Sequence, residues 1–458
     1  MSTISQELAS FAHGLDLKAI PKEVVEKIKL HLLDTLGICL VSSKMDFAEV
    51  MYKTAAELGD GQDSTVIGLG KKLPMVSAAL VNGTLAHGID FDDTHIGAIL
   101  HVSATIAAAG LTVGEGKSAA GTQLIEALAV GMETSARLGL AAEGGFNVRG
   151  MHQTGMCTPF GACLTAGKLL QLSKSALENS LGVCGTMASG ILQIESSWLK
   201  RINPGWAAHS GIISAFLGHH GFIGPREVFE GVHGFYKAHL GDGREFSWGL
   251  IRDDLGKKWE TLNIAIKPYP ACHYIHAFID CAKFLREHHG IKAQDIEHIE
   301  CKASEQIVSL VLEPKDRKVR PTNPYEAQFS TQYLVASMLS KGYVNVDTVY
   351  FEPLDDPEIL SLADKIAWVP DPESDFPANL PGEVRIVLND GREFSKRERF
   401  NRGGPRNPIS RDEIVDKFMD NACRTVPSSQ AQEIAKLIDN LEECKDVGQL
   451  VNLCAPAT

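Results

Sequence analysis

"PKEVVEKIKLHLLDTLGICL", residues 21–40, places Val24, Val25, Ile28, Leu32, Leu33 and Leu36 on one face at steps of three and four. That is the helix period, and a proline at the first turn is a start signal, so the stretch predicts an amphipathic helix. Apolar, alanine-rich segments of the same kind recur at 74–87, 101–115, 121–140, 158–170, 175–191 and 206–221, most of them joined by short glycine-containing turns. Residues 101–140 are apolar nearly all round, as suits helices inside a bundle. After about Pro268 the pattern changes. A helix at 272–287 precedes the alternating run "IEHIECKAS" at 296–304, and "NPYEAQFSTQYLVASMLSKG" at 323–342 reads as another helix. "GEVRIVLNDGREFSKRE" at 382–398 reads as two strands turning at Asn389-Asp390-Gly391, a strong hairpin signal. From Asp412 to Leu453 the chain is helical again, with "NRGGPRNP" at 401–408 as the linker. The expected fold is therefore mainly α: a large all-helical domain from residues 1–266 and 405–458, and a smaller α+β domain at 267–404.

The totals narrow the function. In 458 residues, 44% are hydrophobic and 22% charged, the profile of a soluble globular protein long enough to bury a large core. The N-terminus has no basic segment followed by an apolar run, so a cytoplasmic protein with no membrane span is expected. A net charge of −13 opposes binding to nucleic acid or anionic membrane, and an anionic ligand would need a local basic pocket. Ten cysteines without a CxxC pair argue for reduced thiols and give no zinc-ribbon spacing.

Four segments carry residues suited to chemistry. "AHGIDFDDTHIGAILH" at 86–101 sets Asp90, Asp92, Asp93, His95 and His101 among apolar neighbours. These could ligate a divalent ion, cap the next helix, or move protons; the spacing is neither HExxH nor an EF-hand loop. His101, opening an apolar helix, is placed to act as a proton carrier, with Asp90 to orient it. In "NVRGMHQTGMCTPFGA" at 147–162, glycines flank His152, a helix begins near Thr158-Pro159, and Arg149 offers a two-pronged carboxylate contact. In "WLKRINPGWAAHSGI" at 198–212, Lys200 and Arg201 precede an expected Pro-Gly turn, and His209 opens an apolar helix. In "AIKPYPACHYIHAFIDC" at 265–281, prolines stiffen the backbone around Lys267, while Cys272, His273 and His276 read as buried structural residues rather than metal ligands. Together the four favour a pocket for a small polycarboxylate, with cations to neutralise it and histidines to shuttle protons.

"NGTLAHGIDFDDTH", "RGMHQTG" followed by "PFGA", "LKRINPGWAAHSG" and "KPYPACHYIHAF" occur in the order and spacing of the MmgE/PrpD family, which the chain resembles along nearly its whole length. That family includes 2-methylcitrate dehydratases, cis-aconitate decarboxylases and iminodisuccinate epimerases. The resemblance implies a helical domain with a smaller α+β lid, a homodimer, and no metal or organic cofactor. It implies site positions Asp90, Thr94, His101, His152, Lys267 and Tyr333. Two departures from the animal decarboxylases stand out: His209 and Ser210 replace a Lys-His pair, and one extra residue separates Thr94 from His101. The expected activity is proton transfer next to a carboxylate. His101 and His152 are the acid/base pair, Asp90 fixes one imidazole, and Tyr333 donates to the developing charge. Lys267, Thr94, Arg149, Arg201 and His209 contact the substrate. Dehydration of a 2-methylcitrate-like hydroxy acid leads, ahead of decarboxylation of an aconitate and epimerisation of an amino-dicarboxylate. The rivals of other classes are a metal-dependent hydrolase and a non-catalytic helical scaffold.

Overall fold

The computed structural model describes residues 2–194, 197–241 and 246–456. The chain is mainly helical with small sheets, in keeping with the sequence periodicity, and divides into two compact units, Met1–Ile266 with Ser410–Thr458 and Lys267–Ile409. Among the described residues, no helix is long and apolar enough to cross a membrane.

The first unit is built from helices. Lys22–Ser42 begins directly after Pro21, and Val24, Val25, Ile28, Leu32, Leu33 and Leu36 are all buried in its core. Met75–Ala86, Ser103–Gly116, Gly121–Ala141 and, from the C-terminal part of the chain, Arg411–Ala422 pack against it, and on these helices and on each other pack Gln153–Leu169 and Leu199–His219. Two of these helices start earlier than a proline start signal predicts. Pro159 and Pro204 lie inside Gln153–Leu169 and Leu199–His219, in their second turns. A proline so near the N-terminus sacrifices at most one backbone hydrogen bond, which the burial of each helix offsets. Residues 199–205 are consequently helical, and the expected Pro-Gly turn is absent.

Glycine decides where the last of these helices sits. A Cβ built on Gly205 would stand 2.2 Å from the Leu80 carbonyl oxygen, and one on Gly83 only 2.7 Å from the Gly205 Cα. The bare backbones thus allow Met75–Ala86 and Leu199–His219 to touch. That contact brings the first turn of one helix beside the loop that follows the other.

The second unit has its own core, which includes Phe278, Ile299, Tyr333, Leu334 and Ile386. Its sheet runs Ile366–Pro370, Ile296–Ala303, Gly382–Leu388, Glu393–Glu398, with the first pair parallel and the others antiparallel. The last two strands form the hairpin that Asp390-Gly391 predicts, with Gly391 at φ +85°.

Candidate active site

The loop 87–101, between Met75–Ala86 and Ser103–Gly116, is held from three sides. Asp93 Oδ1 accepts from the N–H groups of Val102 and Ser103 at 3.2 and 3.0 Å, and Oδ2 meets the Ser103 hydroxyl, so Asp93 caps the helix. His31 Nδ1 lies 2.6 Å from the same carboxylate. Burial pushes Asp93 upward, but His31 and Ser103 outweigh it and hold the group below the usual carboxylate value, an anion. Lys417 ion-pairs with Asp34 at 2.6 Å, donates to the Phe91 carbonyl at 2.9 Å, and stands 3.6 Å over the Phe91 ring. Within this frame Asp90 takes a left-handed conformation, φ +51°, a strain that aspartate tolerates better than most residues.

Three imidazoles meet here. The ring centroids of His87 and His101 are 4.5 Å apart, those of His87 and His152 are 6.0 Å, and those of His101 and His152 are 6.4 Å. Their hydrogen bonds fix where each neutral ring carries its proton. His101 Nδ1 faces the Asp93 carbonyl at 2.9 Å, and Asp92 Oδ2 at 3.4 Å. Both oxygens only accept, so Nδ1 bears the hydrogen and Nε2 is left basic. His87 Nδ1 lies 2.8 Å from both oxygens of Asp92 and is likewise the protonated nitrogen. His152 is the reverse. The Asn203 amide donates to its Nδ1 at 3.0 Å, which leaves the hydrogen on Nε2. Burial, helped by the nearness of His87 and Lys200, pushes His152 well below the ordinary histidine value and keeps it neutral near pH 7. The site thus presents a bare ring nitrogen at His101 and an N–H donor at His152.

The charged residues sort differently from the expectation. Asp90 Oδ1 lies 2.8 Å from the Lys200 ammonium. The carboxylate that faces two imidazoles is Asp92, completely buried. Thr94 Oγ1 is 3.5 Å from His101 Nδ1, and Thr154 Oγ1 accepts from the His101 backbone N–H at 3.0 Å. Arg201 turns to the Phe47 ring, 4.7 Å from its centroid, so Lys200 is the member of that pair at the cluster. Arg149 is exposed. His209 stacks on Trp206 and hydrogen-bonds the Val76 carbonyl at 3.3 Å, and burial lowers its proton affinity. His95 lies 3.3 Å from Glu260 and accepts from the Ala98 N–H at 3.1 Å, a structural role. Lys267 opens the second unit. Tyr333 lies in that unit's core with its hydroxyl 3.5 Å from the Thr348 carbonyl, and burial pushes the phenol up to about 12. In the same unit His276 Nε2 is 3.1 Å from the Ala271 carbonyl, and His273, His276 and Cys272 are buried.

His87, Asp90, Asp92 and His101 each bring one ligand atom within 4.8 Å of the others, a set able to hold a divalent ion. An ion there would compete with the Lys200 ammonium for Asp90 and with the His87 N–H for Asp92. His87 and Asn203 were not among the site residues expected from sequence, whereas Lys200 was singled out beside Arg201. The signal for His87 was a histidine just past an apolar helix with an aspartate five residues on. The signal for Asn203 was hidden by reading Pro204-Gly205 as a turn.

Part-buried His101 and buried His152, opposite in tautomer, stand beside a lysine-carboxylate pair, an arrangement suited to moving protons. The MmgE/PrpD N-terminal domain matches residues 6–247 and the MmgE/PrpD C-terminal domain residues 269–443, and the chain belongs to the MmgE/PrpD family. It is similar to the cis-aconitate decarboxylase of Aspergillus terreus, 27% identical over 476 residues that cover 99% of this chain and 96% of the relative. A cis-aconitate decarboxylase-like protein of Aspergillus oryzae is 28% identical over 98% of this chain and 97% of its own. The human cis-aconitate decarboxylase is 26% identical over 99% and 95%. The chain is an enzyme of the lyase class.

Proposed function

We propose that the chain decarboxylates cis-aconitate or a closely similar unsaturated tricarboxylate. The carrying observation is the pairing of His101 and His152, opposite in tautomer and 6.4 Å apart, in a chain whose full length aligns with decarboxylases of that substrate. Loss of CO₂ from the saturated arm leaves its electron pair to form a terminal methylene, and the double bond shifts along the chain. The far vinyl carbon then takes one proton. The donor is an imidazolium, since a neutral ring that gave up its N–H would be left as imidazolate. His101, with Nδ1–H on Asp92 and the Asp93 carbonyl, passes a proton from its charged Nε2–H and returns to the neutral ring. Neutral His152 holds a substrate carboxylate through its Nε2–H, and solvent restores the proton after product leaves. Oriented cations must offset the substrate's charge, a contribution comparable to the roughly 10²–10⁴-fold of a placed acid. Lys200 is the cation at the cluster. Lys267, Arg149, Arg201, Thr94, Tyr333 and His209 are proposed to assist on the strength of the family resemblance.

A second reading rests on His101. Decarboxylation requires only an acid, whereas dehydration of a hydroxy acid such as 2-methylcitrate needs a base to take the carbon-bound proton and an acid for the leaving hydroxyl. Neutral His101, with its proton on Nδ1, supplies the base for that reaction. The test is incubation of the purified protein with cis-aconitate, citrate, 2-methylcitrate and iminodisuccinate, followed by proton NMR and CO₂ capture. Stoichiometric CO₂ from cis-aconitate alone supports the first reading, alkene formation from 2-methylcitrate alone the second, and no turnover of any of the four rejects both.

A further inference from the structure

His87 is completely buried, yet its Nε2 has no hydrogen-bond partner among the described residues. A buried acceptor left unsatisfied costs a folded protein free energy and asks for an explanation. Two features of its surroundings supply one. Its ring is the nearest neighbour of His101 and stands 6.0 Å from His152, so it belongs to the same cluster. Asp92 grips its Nδ1 with both oxygens at 2.8 Å, a closer carboxylate contact than the 3.4 Å that His101 has.

Charge makes the same point. With neutral imidazoles, Asp90 is paired with the Lys200 ammonium and Asp93 lies near Lys27, while Asp92 faces the His87 and His101 rings. His152 is kept neutral by burial. Of the three rings, His87 has the closest carboxylate in place to hold its positive form.

We propose that His87 is a substrate-binding residue: with Nδ1–H fixed on Asp92, its Nε2 carries a proton in the complex and donates it as a hydrogen bond to a substrate carboxylate. No bond to carbon is made or broken by this ring. The inference rests on the tricarboxylate reading above and adds a residue and a charge to it.

The first test is His87→Asn. The amide can keep the hydrogen bond to Asp92 while removing Nε2. The variant should hold its fold and raise KM for cis-aconitate about 10- to 100-fold, the range for a lost charge-assisted hydrogen bond. A wild-type KM would overturn the proposal, since a residue that merely positions Asp92 is rescued by asparagine. The second test needs no variant. Nitrogen-15 NMR of the wild-type histidines is recorded as the unreactive tricarballylate is added. The His87 Nε2 signal should move from the bare-nitrogen to the protonated range. Should His101 and His152 respond while His87 does not, the proposal fails and the tricarboxylate reading stands. Should none respond, both fail together.

Discussion

Replacing Asn203 by aspartate is a sharp perturbation of the site, because it changes one atom and reverses one hydrogen bond. The Asn203 amide donates to His152 Nδ1 at 3.0 Å, and this bond places the ring's hydrogen on Nε2. A carboxylate can only accept. Asn203→Asp therefore draws the hydrogen to Nδ1 and leaves Nε2 bare, so a hydrogen-bond donor of the site becomes an acceptor. A carboxylate this near also raises a histidine by about 1–3 pH units, or roughly 1.4–4 kcal/mol, opposing the burial that keeps His152 neutral. Loss of that N–H donor removes a hydrogen bond to a charged substrate carboxylate, worth about 1.5–3 kcal/mol, and lowers kcat/KM about 10- to 100-fold at pH above the ring's raised value. The assay is kcat/KM for cis-aconitate across pH 5–9, with nitrogen-15 NMR of His152. The reasoning expects the proton on Nδ1 and the rate drop together. A variant with wild-type kcat/KM and a proton still on Nε2 would refute it.

Other variants probe the remaining links. His101→Asn keeps a donor toward the Asp93 carbonyl but removes Nε2; a fall in kcat of about 10²-fold or more is expected if this ring acts in the reaction, with the thermal midpoint little changed. Lys417→Met leaves Asp34 buried without its cation and should cost about 3–5 kcal/mol in urea unfolding. Burial already holds the Asp34 carboxyl at about 6, above its ordinary 3.8, despite Lys417. The folded state therefore binds more protons than the unfolded one between those values, and this group's contribution to stability falls as pH rises through that window. Losing Lys417 raises the folded value further, so the penalty of Lys417→Met should shrink on acidification from pH 8 to 5. Gly205→Ala puts a methyl 2.2 Å from the Leu80 carbonyl oxygen and should cost about 1–3 kcal/mol while drawing Lys200 and Asn203 away from Asp90 and His152; unchanged melting and kcat would contradict the helix contact described here.

The mainly helical fold was readable because its signals are local. The face of Lys22–Ser42, the apolar segments and the Asp390-Gly391 hairpin each declare themselves within some twenty residues. His101 was singled out because it opens an apolar helix and His152 because glycines flank it, and the structure brings their rings to 6.4 Å. What escaped was decided by distance or by context. Lys417 reaches a carbonyl 326 positions away, a pairing that no local spacing encodes. Asn203 escaped because Pro204 was read as a break, although the buried helix carries straight through it. Asp90 was read as the carboxylate that fixes an imidazole. The loop's left-handed turn at Asp90 places it beside Lys200, and Asp92 faces the rings.

The central claim is that an imidazole hands one proton to a defined face of a substrate carbon. It is tested most directly by turnover of cis-aconitate in D₂O, read by NMR of the product. The account predicts CO₂ release with a single deuterium at one stereochemical position of the new CH₂ group. Deuterium spread equally over both positions, or no decarboxylation at all, would contradict it.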